Sequence, residues 1–429
     1  MYVCGPTVSN VPHIGHGRFT LVWDIMRRYL EWRGFEVHYV SNITDIEDKI
    51  IAAAEEDGTS TDEVVRKYEQ AWWDAMDRLG VLHPDAEPHA TEYVEQMVDF
   101  VAGLVDRGHA YETSDGVYFD TSSLPGYGLL ALQPLESLRA GGGERTVVGE
   151  DEKHSAFDFV LWKKAKPGEP EWPSPWGGGR PGWHIECTVM SLDLLGDGFD
   201  LHGGGNDLTF PHHENERAQA LGGGHEFARH WVHNGMVMAD DGQKMSKSLN
   251  NFVTLTDLLE KVDGRAYRLL VLQSHYRSPV QVTDDTIERA VNTLTGLDAF
   301  GRRFAEVEAA PVDTAAVDRF VALMDDDLNT PSATAAIFDL VRDANKAADA
   351  GDAAAAEALA ATVFELTDAL GLPLRTDAAE VDDATAALIA ARNAARAGKD
   401  WAEADRLRDE LVSMGWTVED GATGTTVHK

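Results

Sequence analysis

The sequence predicts an α/β fold in which a parallel-sheet domain is split by an insertion and followed by an α-helical bundle and a small domain of helices and a hairpin. Residues 1–45 show strand, helix and strand periodicity in that order, which is the βαβ unit of a parallel sheet. Residues 111–181 lose this pattern and break into short strand candidates between glycine- and proline-rich loops. From Asp284 onward the chain is helical and rich in alanine.

The first βαβ unit places two histidines at the start of a helix. Tyr2-Val3-Cys4 is a short apolar strand, and Phe35 to Val40 alternates like a second strand. Between them, apolar residues from Phe19 to Leu30 recur at helical spacing and stop at Gly34. The loop ahead of this helix contains His13-Ile14-Gly15-His16, and free N–H groups at a helix N-terminus favour phosphate. Two solvated histidines on a surface loop are the alternative.

Residues 182–235 are predicted to complete the sheet and to carry much of the chemistry. Seven of the 16 histidines fall in this segment. Residues 199–205 are typical of a strand that runs into a glycine loop, and Pro211 suits the first turn of a following helix.

A metal site is one interpretation of this segment. His212 and Glu216 are four residues apart on the predicted helix, so they share a face. A mixture of thiolate, imidazole and carboxylate suits zinc. However, Cys4 and Cys187 are far apart and form no CxxC pair, so spacing alone does not unite them. A His-x-x-x-Glu pair is also common on helix surfaces.

A pair of lysines follows a strand candidate at residues 235–238. Lys244 and Lys247 are two of only 12 lysines in an acidic chain. Paired ammonium groups on a loop suit a substrate whose negative charge grows in the transition state. A solvated basic patch is the alternative.

The last part of the chain predicts two short helices and a hairpin. Residues 384–414 have helical periodicity with a break at Gly398. Trp416 to Val427 is typical of a hairpin, with Asp420-Gly421 as its turn. The arginines of this region indicate either a relatively basic surface or an ion-paired helix face.

The composition favours a protein from a high-salt cytoplasm. The 429 residues include 73 acidic and 37 basic ones, for a formal net charge of −36. The acids run from Glu31 to Asp420 instead of forming one tail, and such a surface repels itself unless salt screens it. The same charge argues against nucleic-acid binding, although salt weakens that argument.

Membrane-spanning and secreted classes are not expected. No run approaches the ~18 apolar residues of a membrane span. The first residues lack the basic and apolar runs of a signal peptide, and two cysteines are too few for a disulfide scaffold. We therefore expect a cytoplasmic protein with no membrane partner.

Taken together, the motifs resemble one enzyme family. His13-Ile14-Gly15-His16 and Lys244-Met245-Ser246-Lys247-Ser248 match the two signature motifs of class I aminoacyl-tRNA synthetases, in the expected order. The segments that resemble the cysteinyl-tRNA synthetase family within that class are Tyr2–Val8, Asn42–Ile46, Gly182–Cys187, His202–Gly205 and Phe210–Glu216. The resemblance covers nearly the whole chain, and with the acidic composition it suggests a halophilic archaeon as the source.

The resemblance implies a fold and a reaction. The catalytic domain would be Rossmann-like, and the reaction would activate L-cysteine with ATP and Mg²⁺ and transfer it to the 2′-hydroxyl of the terminal adenosine of tRNA(Cys). The chain would act as a monomer. The implied domains are residues 1–110 and 182–235 (the two catalytic halves), 111–181 (connective insertion), 236–283 (lysine loop and stem contact), 284–375 (helical bundle) and 384–429 (anticodon-binding domain).

The resemblance also assigns roles to residues. One zinc ion would be held by Cys4, Cys187, His212 and Glu216, and only the resemblance selects His212 over His213. The residues that would contact ATP or stabilise its phosphates are His13, Gly15, His16, Lys244 and Lys247. The substrate pocket would include Thr44, Trp183 and His202.

Two rivals and one departure from the family pattern accompany this interpretation. A paralogous ligase could join cysteine to an amino sugar with the same adenylating site, and an inactive paralogue could only bind tRNA. The family pattern has a short strand-forming segment ahead of the Tyr2-Val3-Cys4 strand. Because no such segment appears here, either the start of the sequence is placed too late or another element covers the edge of that strand.

Overall fold

A computed structural model describes the chain over residues 1–131, 152–238, 254–307, 310–377, 382–421 and 424–428. Its described part divides into two compact units. Unit 1 comprises Met1–Thr293, Arg319–Ala336 and Ala369–Leu372, and unit 2 comprises Leu294–Asp318, Ile337–Asp368 and Pro373–Lys429.

Strands and helices are interspersed along the chain of unit 1 up to residue 281. In chain order they are β1 (Tyr2–Val3), α1 (Ile14–Trp32), β2 (Val40–Ser41), α2 (Asp48–Asp57), α3 (Thr61–Arg78), α4 (Val94–Asp106), β3 (Ala110–Glu112), β4 (Gly116–Phe119), β5 (Phe159–Lys164), β6 (Gly179–Pro181), α5 (Trp183–Leu195), β7 (Leu201–Gly205), α6 (Glu214–Gly223), β8 (His230–Asn234), β9 (Val237–Met238), α7 (Leu255–Leu259), α8 (Gly264–Leu272) and β10 (Val280–Gln281).

A parallel sheet in the order β2-β1-β7-β8 forms the centre of unit 1. Tyr2 pairs with both Val40 and His202, so β1 is an inner strand, and Tyr2 and Val3 are fully buried. Both edges of β1 therefore pair with a neighbouring strand, β2 on one side and β7 on the other. A side chain at Gly203 would overlap the ring of Trp23, so glycine lets α1 lie close against β7.

Of two sequence expectations for unit 1, the strand over residues 35–40 is wrong in detail and the helix start at Pro211 is confirmed. The strand predicted over residues 35–40 is wrong for residues 35–39, which belong to no described strand; pairing begins at Val40, opposite Tyr2, and continues to Ser41. The helix expected to open at Pro211 does so: the backbone is extended at Phe210, and the π-helical turn Thr209–His213 leads directly into α6. The regular helix α6 starts only at Glu214.

The insertion forms an antiparallel sheet in the order β3-β4-β5-β6. Its side chains pack in one core with those of α4 and α5, including Phe119 and Trp162. Asp48, the first residue of α2, pairs with Lys163 of β5 (Nζ–Oδ2, 3.1 Å) and with Arg180 of β6. The insertion is thus attached to the parallel-sheet region by both apolar packing and ion pairs.

The chain from residue 284 onward, which contains unit 2 and the last parts of unit 1, is helical and ends in a hairpin. The elements from residue 284 onward are α9 (Asp284–Arg303), α10 (Thr314–Met324), α11 (Thr330–Asp349), α12 (Ala353–Ala369), α13 (Asp383–Ala397), α14 (Trp401–Ser413), β11 (Thr417–Gly421) and β12 (Gly424–His428). Gly398 is the C-cap of α13, where the sequence predicts a break. Asp420 and Gly421 belong to β11, so the predicted turn dipeptide is wrong by about two residues, because Gly421 pairs with Gly424.

Candidate active site and metal centre

The two histidines of the first motif cap helix α1 together. The Nδ1 atom of His13 accepts a hydrogen bond from the His16 N–H (3.3 Å), and the Nδ1 atom of His16 accepts one from the His13 N–H (3.2 Å). The two rings stack with their centroids 3.7 Å apart. A Cβ atom at Gly15 would lie 2.8 Å from the His13 ring, so glycine suits the space between them.

The burial of His16 and its contact with His13 determine whether the His16 ring is charged. Burial, together with the nearby His13, lowers the pKa of His16 to about 3. His16 is therefore neutral at pH 7. Since a neutral imidazole still donates one hydrogen bond, this turn offers N–H donors to an anion at the N-terminus of α1.

Four buried side chains from distant parts of unit 1 meet in one cluster. One ligand atom from each of Cys4, Cys187, His212 and Glu216 lies within 4.8 Å of the others. Cys4 follows β1, Cys187 lies on α5, His212 lies in the π-helical turn and Glu216 lies on α6. Glu216 Oε1 is 3.1 Å from His212 Nε2 and 3.5 Å from Cys4 Sγ.

The chemistry of this cluster fits a zinc ion. His212 Nε2 is buried and, despite its distance of 3.1 Å to Glu216, makes no aligned hydrogen bond with any described residue. Burial raises the pKa of both thiols and lowers the pKa of His212, so it disfavours the two thiolates and the imidazolium. A divalent cation reverses this for the thiols, and two sulfurs, an imidazole and a carboxylate are ligands that zinc accepts.

A second set of residues overlaps with the first. Cys4 and Glu216 also form a group of potential ligands with His202 and His213. His202 Nε2 lies 2.6 Å from Glu216 Oε2, and His213 Nε2 lies 3.4 Å from Cys4 Sγ. Of these two groups, the first uses both cysteines of the chain.

The three predicted pocket residues all contact the cluster or its neighbours. Thr44 is buried, and its hydroxyl donates to Glu186 Oε2 (2.9 Å). His202 is fully buried against Glu216. Trp183 is 37% exposed and stacks on His212 with the ring centroids 4.0 Å apart. Trp183 is thus the member of this group that faces solvent.

The other predicted site residues, Lys244 and Lys247, lie outside the described residues. The strand β9 ends at Met238, and the chain is described again from Thr254, which forms an isolated bridge with His13. The roles assigned to the two lysines by resemblance therefore stay predictions.

Sequence reasoning gave no role to Asn42. Its side chain is buried at the end of β2, where Oδ1 accepts hydrogen bonds from the Tyr2 hydroxyl (3.0 Å) and the Gly5 N–H (2.9 Å). The same oxygen lies 3.6 Å from Cys187 Sγ, and Nδ2 donates to the Thr44 hydroxyl. An asparagine directly after a buried strand was the available signal, because carboxyl ends of parallel strands form binding sites.

Comparison with known proteins identifies the family. A model of the class I (C) catalytic domain of tRNA synthetases matches residues 1–292, a DALR domain matches residues 319–375, and the cysteinyl-tRNA ligase anticodon-binding domain matches residues 378–427. The chain is 47% identical over 442 residues to the cysteine–tRNA ligase of Halorhodospira halophila, which covers 99% of this chain and 94% of that protein. This chain belongs to the cysteinyl-tRNA ligase family.

Other members of the cysteinyl-tRNA ligase family and of its class agree with this assignment. The cysteine–tRNA ligase of Pseudomonas paraeruginosa is 47% identical over 443 residues, with 99% of this chain and 94% of that protein covered. A solved structure of methionyl-tRNA synthetase from Mycobacterium tuberculosis with methionyl-adenylate has a TM-score of 0.63 at 17% identity and covers 86% of this chain and 89% of that one. This likeness confirms the predicted class I fold. None of the described helices is both long and apolar enough to cross a membrane.

Proposed function

We propose that this protein attaches L-cysteine to tRNA(Cys) in two steps. In the first, the cysteine carboxylate attacks the α-phosphate of Mg-ATP and pyrophosphate leaves. In the second, the 2′-hydroxyl of the terminal adenosine attacks the cysteinyl carbonyl and AMP leaves. The observation that carries the proposal is the buried cluster of Cys4, Cys187, His212 and Glu216, which occurs in a chain 47% identical to cysteine–tRNA ligases.

The residues at the start of α1 are proposed to orient the triphosphate. His13 and His16 cap the helix, and the neutral His16 donates a hydrogen bond without adding charge. Lys244 and Lys247 are proposed to neutralise the leaving pyrophosphate. No side chain acts as a nucleophile in this scheme, so the rate depends on positioning and electrostatic stabilisation.

Selection of cysteine is proposed to depend on a zinc ion held by the four clustered side chains. When bound, the ion supplies a Lewis acid that prefers the substrate thiolate over the hydroxyl of serine. The chain itself fixes the donor atoms: Asn42 is within 3.6 Å of Cys187, and His184 Nδ1 lies 2.8 Å from His212 Nδ1. Trp183, exposed and stacked on His212, is placed to cover the substrate.

The C-terminal domain supports tRNA as the acceptor. Trp401, at the start of α14, is 60% exposed, and an exposed aromatic ring can stack on an unpaired base. The match of residues 378–427 to an anticodon-binding domain gives no support to a ligase that uses an amino sugar. We propose the same domain roles as the resemblance implies, with residues 1–110 and 182–235 as the catalytic halves and residues 384–429 as the anticodon-binding domain.

Two assays test the function. Cysteine-dependent exchange of labelled pyrophosphate into ATP is expected for the ligase and absent from a protein that only binds tRNA. Aminoacylation of tRNA(Cys) is expected for the ligase and absent from an enzyme that joins cysteine to a small acceptor. Serine in place of cysteine, and a tRNA with another anticodon, are the matched controls. Exchange without aminoacylation would overturn the tRNA assignment.

A further inference from the structure

Arg18 is a buried cation on α1, two residues after His16. Its side chain is 1% exposed, and among the described residues it pairs with no carboxylate. Nη1 donates to the Met236 carbonyl oxygen (2.7 Å), and Nη2 donates to the carbonyl oxygens of Tyr276 (3.3 Å) and Ser278. The guanidinium thus binds only main-chain oxygens.

Burying the Arg18 cation without a carboxylate partner among the described residues costs free energy, which indicates that its guanidinium is kept to hold other groups in place. Burial lowers the pKa of Arg18 to about 10, so the side chain keeps its charge at pH 7. Its Nε atom is buried and makes no hydrogen bond with a described residue. Apolar residues of similar volume often stabilise a fold as well as a buried ion does, so the planar fork of Arg18 suggests a geometric requirement.

The carbonyl groups that Arg18 binds lie at a tight backbone junction. The Met236 oxygen also accepts from the Val280 N–H (3.0 Å), and the Tyr276 oxygen also accepts from the Gly235 N–H (2.7 Å). A side chain at Gly235 would overlap the Ser278 carbonyl group. Arg18 therefore fixes α1 to the place where the parallel strands β9 and β10 come together.

The first turn of α1 is held from a second direction. The Leu255 N–H donates to the Pro12 oxygen (2.9 Å), and the buried Tyr267 hydroxyl donates to the Ile14 oxygen (2.7 Å). The His13–His16 turn is thus connected to chain segments that end at Met238 and resume at Thr254.

We propose that Arg18 is a positioning residue that sets the His13–His16 turn relative to β9 and so determines the rate of adenylate formation. It touches neither substrate in this scheme. The proposal rests on the proposed function, because the rate in question is that of cysteine-dependent adenylation. Since a displacement of about 1 Å at reacting groups can cost about 100-fold in rate, a lost guanidinium fork should lower kcat more than it raises KM.

The kinetic test compares Arg18→Gln with Arg27→Gln. Arg27 is a buried arginine on the same helix, but it binds Glu31 (2.8 Å), Asp85 (3.0 Å) and the His83 oxygen (2.8 Å), away from the motif. We expect Arg18→Gln to lower kcat of ATP–pyrophosphate exchange at least about tenfold with KM values changed less than about threefold. Arg18→Lys should recover part of kcat, and Arg27→Gln should keep kcat while losing comparable thermal stability. Equal kcat in the two glutamine variants, or a loss confined to the KM for cysteine, would overturn the proposal.

Hydrogen exchange tests the same coupling without reference to activity. In Arg18→Gln, amides of residues 14–17, 236–238 and 276–281 should exchange faster together, whereas those of residues 83–86 should not. Arg27→Gln should show the reverse. If Arg18→Gln does not fold, the kinetics and the hydrogen exchange are measured on Arg18→Lys instead. A wild-type exchange pattern in that variant would overturn the proposal. If the wild-type enzyme does not catalyse ATP–pyrophosphate exchange, the proposed function is refuted. Hydrogen exchange then still tests whether Arg18 couples these segments.

Discussion

His212 and His213 are both buried, and they differ in what their second ring nitrogen contacts. The Nδ1 atom of His212 lies 2.8 Å from Nδ1 of His184, whereas Nδ1 of His213 lies 2.8 Å from Nε2 of His233. A neutral His212 that donates through Nδ1 presents an unprotonated Nε2 to the cluster. This is the form of histidine that binds a metal, and its partner His184 fixes the ring orientation.

We expect Cys187→Ser to lose zinc and cysteine affinity together while ATP binding survives. A serine hydroxyl is a poor zinc ligand, and the histidines proposed to contact ATP belong to another element. The measurement is metal content by mass spectrometry with calorimetric titration of cysteine and ATP. Ser191→Ala is the matched control, because Ser191 is equally buried on α5 and, among the described residues, its hydroxyl binds only the Thr188 carbonyl oxygen (3.1 Å). A metal-free variant that binds cysteine normally and still rejects serine would show that the ion is structural.

At the level of residues, the sequence predicted which types of side chain could bind a metal, but not which histidine does so. It placed cysteines, histidines and a carboxylate as candidates, but spacing could not decide between His212 and His213, and both lie beside Glu216 in the fold. Asn42 and Glu186 were given no role, because their importance arises from contacts such as Cys187–Asn42, which spans 145 positions. Local patterns carry no information about such contacts.

Asp48, at the start of α2, links this helix to strands β5 and β6 through ion pairs. Burial by itself would raise the pKa of Asp48, but the charges of Lys163 and Arg180 outweigh it and lower the pKa to about 2. Because the folded pKa lies below the unfolded value, this carboxylate stabilises the fold at pH values above about 4. The contribution is lost as the pH falls through about 2.

We therefore expect Asp48→Asn to lower the free energy of unfolding by about 1–2 kcal/mol at pH 7, discounted for partial solvent screening. The difference from wild type should shrink as the pH falls from about 4 toward 2. Urea unfolding followed by tryptophan fluorescence at several pH values measures it. Asp57→Asn, which removes an exposed partner of Lys67, is the control and should change little. A pH-independent effect of Asp48→Asn would exclude the ion pairs as its cause.

The C-terminal hairpin depends on one buried arginine. Arg392 of α13 is 3% exposed and binds Asp420 of β11, Thr425 of β12 and the Ala404 oxygen (3.2 Å). Arg406, by contrast, pairs at the surface with Glu403 and Glu410. The ion-paired alternative for this region therefore describes both arginines, although only Arg392 connects elements.

Arg392→Gln should destabilise the hairpin by about 2 kcal/mol, since it removes the buried partner of Asp420 and leaves that carboxylate with the more exposed Arg396 (2.7 Å). Arg406→Gln should cost less than about 0.5 kcal/mol. Hydrogen exchange of the β11 and β12 amides, which pair from Thr417–His428 to Gly421–Gly424, reports the difference. Equal exchange in both variants would contradict the buried role of Arg392.

At the level of elements, periodicity located the helices better than the strands. The break at Gly398 and the helices around it match the pattern. The strand over residues 35–40 was overestimated, because apolar alternation does not show where a partner strand begins, and pairing starts only at Val40, opposite Tyr2. The proline predicted the helix start at Pro211, but not the π-helical turn Thr209–His213 that leads into α6, because such a turn has no comparable local signature.

The acidic surface is a property of the whole molecule and stays the least tested prediction. With a net charge of −36, the protein repels a polyanionic tRNA at low ionic strength. Salt at about 1 M shortens the screening length to about 3 Å. We expect aminoacylation to rise with KCl well beyond ordinary buffers. Thermal unfolding over the same KCl series separates effects on folding from effects on docking, and activity that is best in low salt and declines with KCl would refute the high-salt interpretation.

The inner position of β1 has a consequence for the order in which the chain is made. Val3 pairs on one side with Ser41 and on the other with Gly203, 200 positions later. At a synthesis rate of about 5–20 residues per second, roughly 10–40 s separate the emergence of these partners from the ribosome. During that interval one side of β1 has no strand beside it and Cys4 has no Cys187 nearby. The sheet and the cluster can therefore be completed only when about half of the chain has been made, and a nascent chain arrested before residue 205 would expose an unpaired strand edge to chaperones.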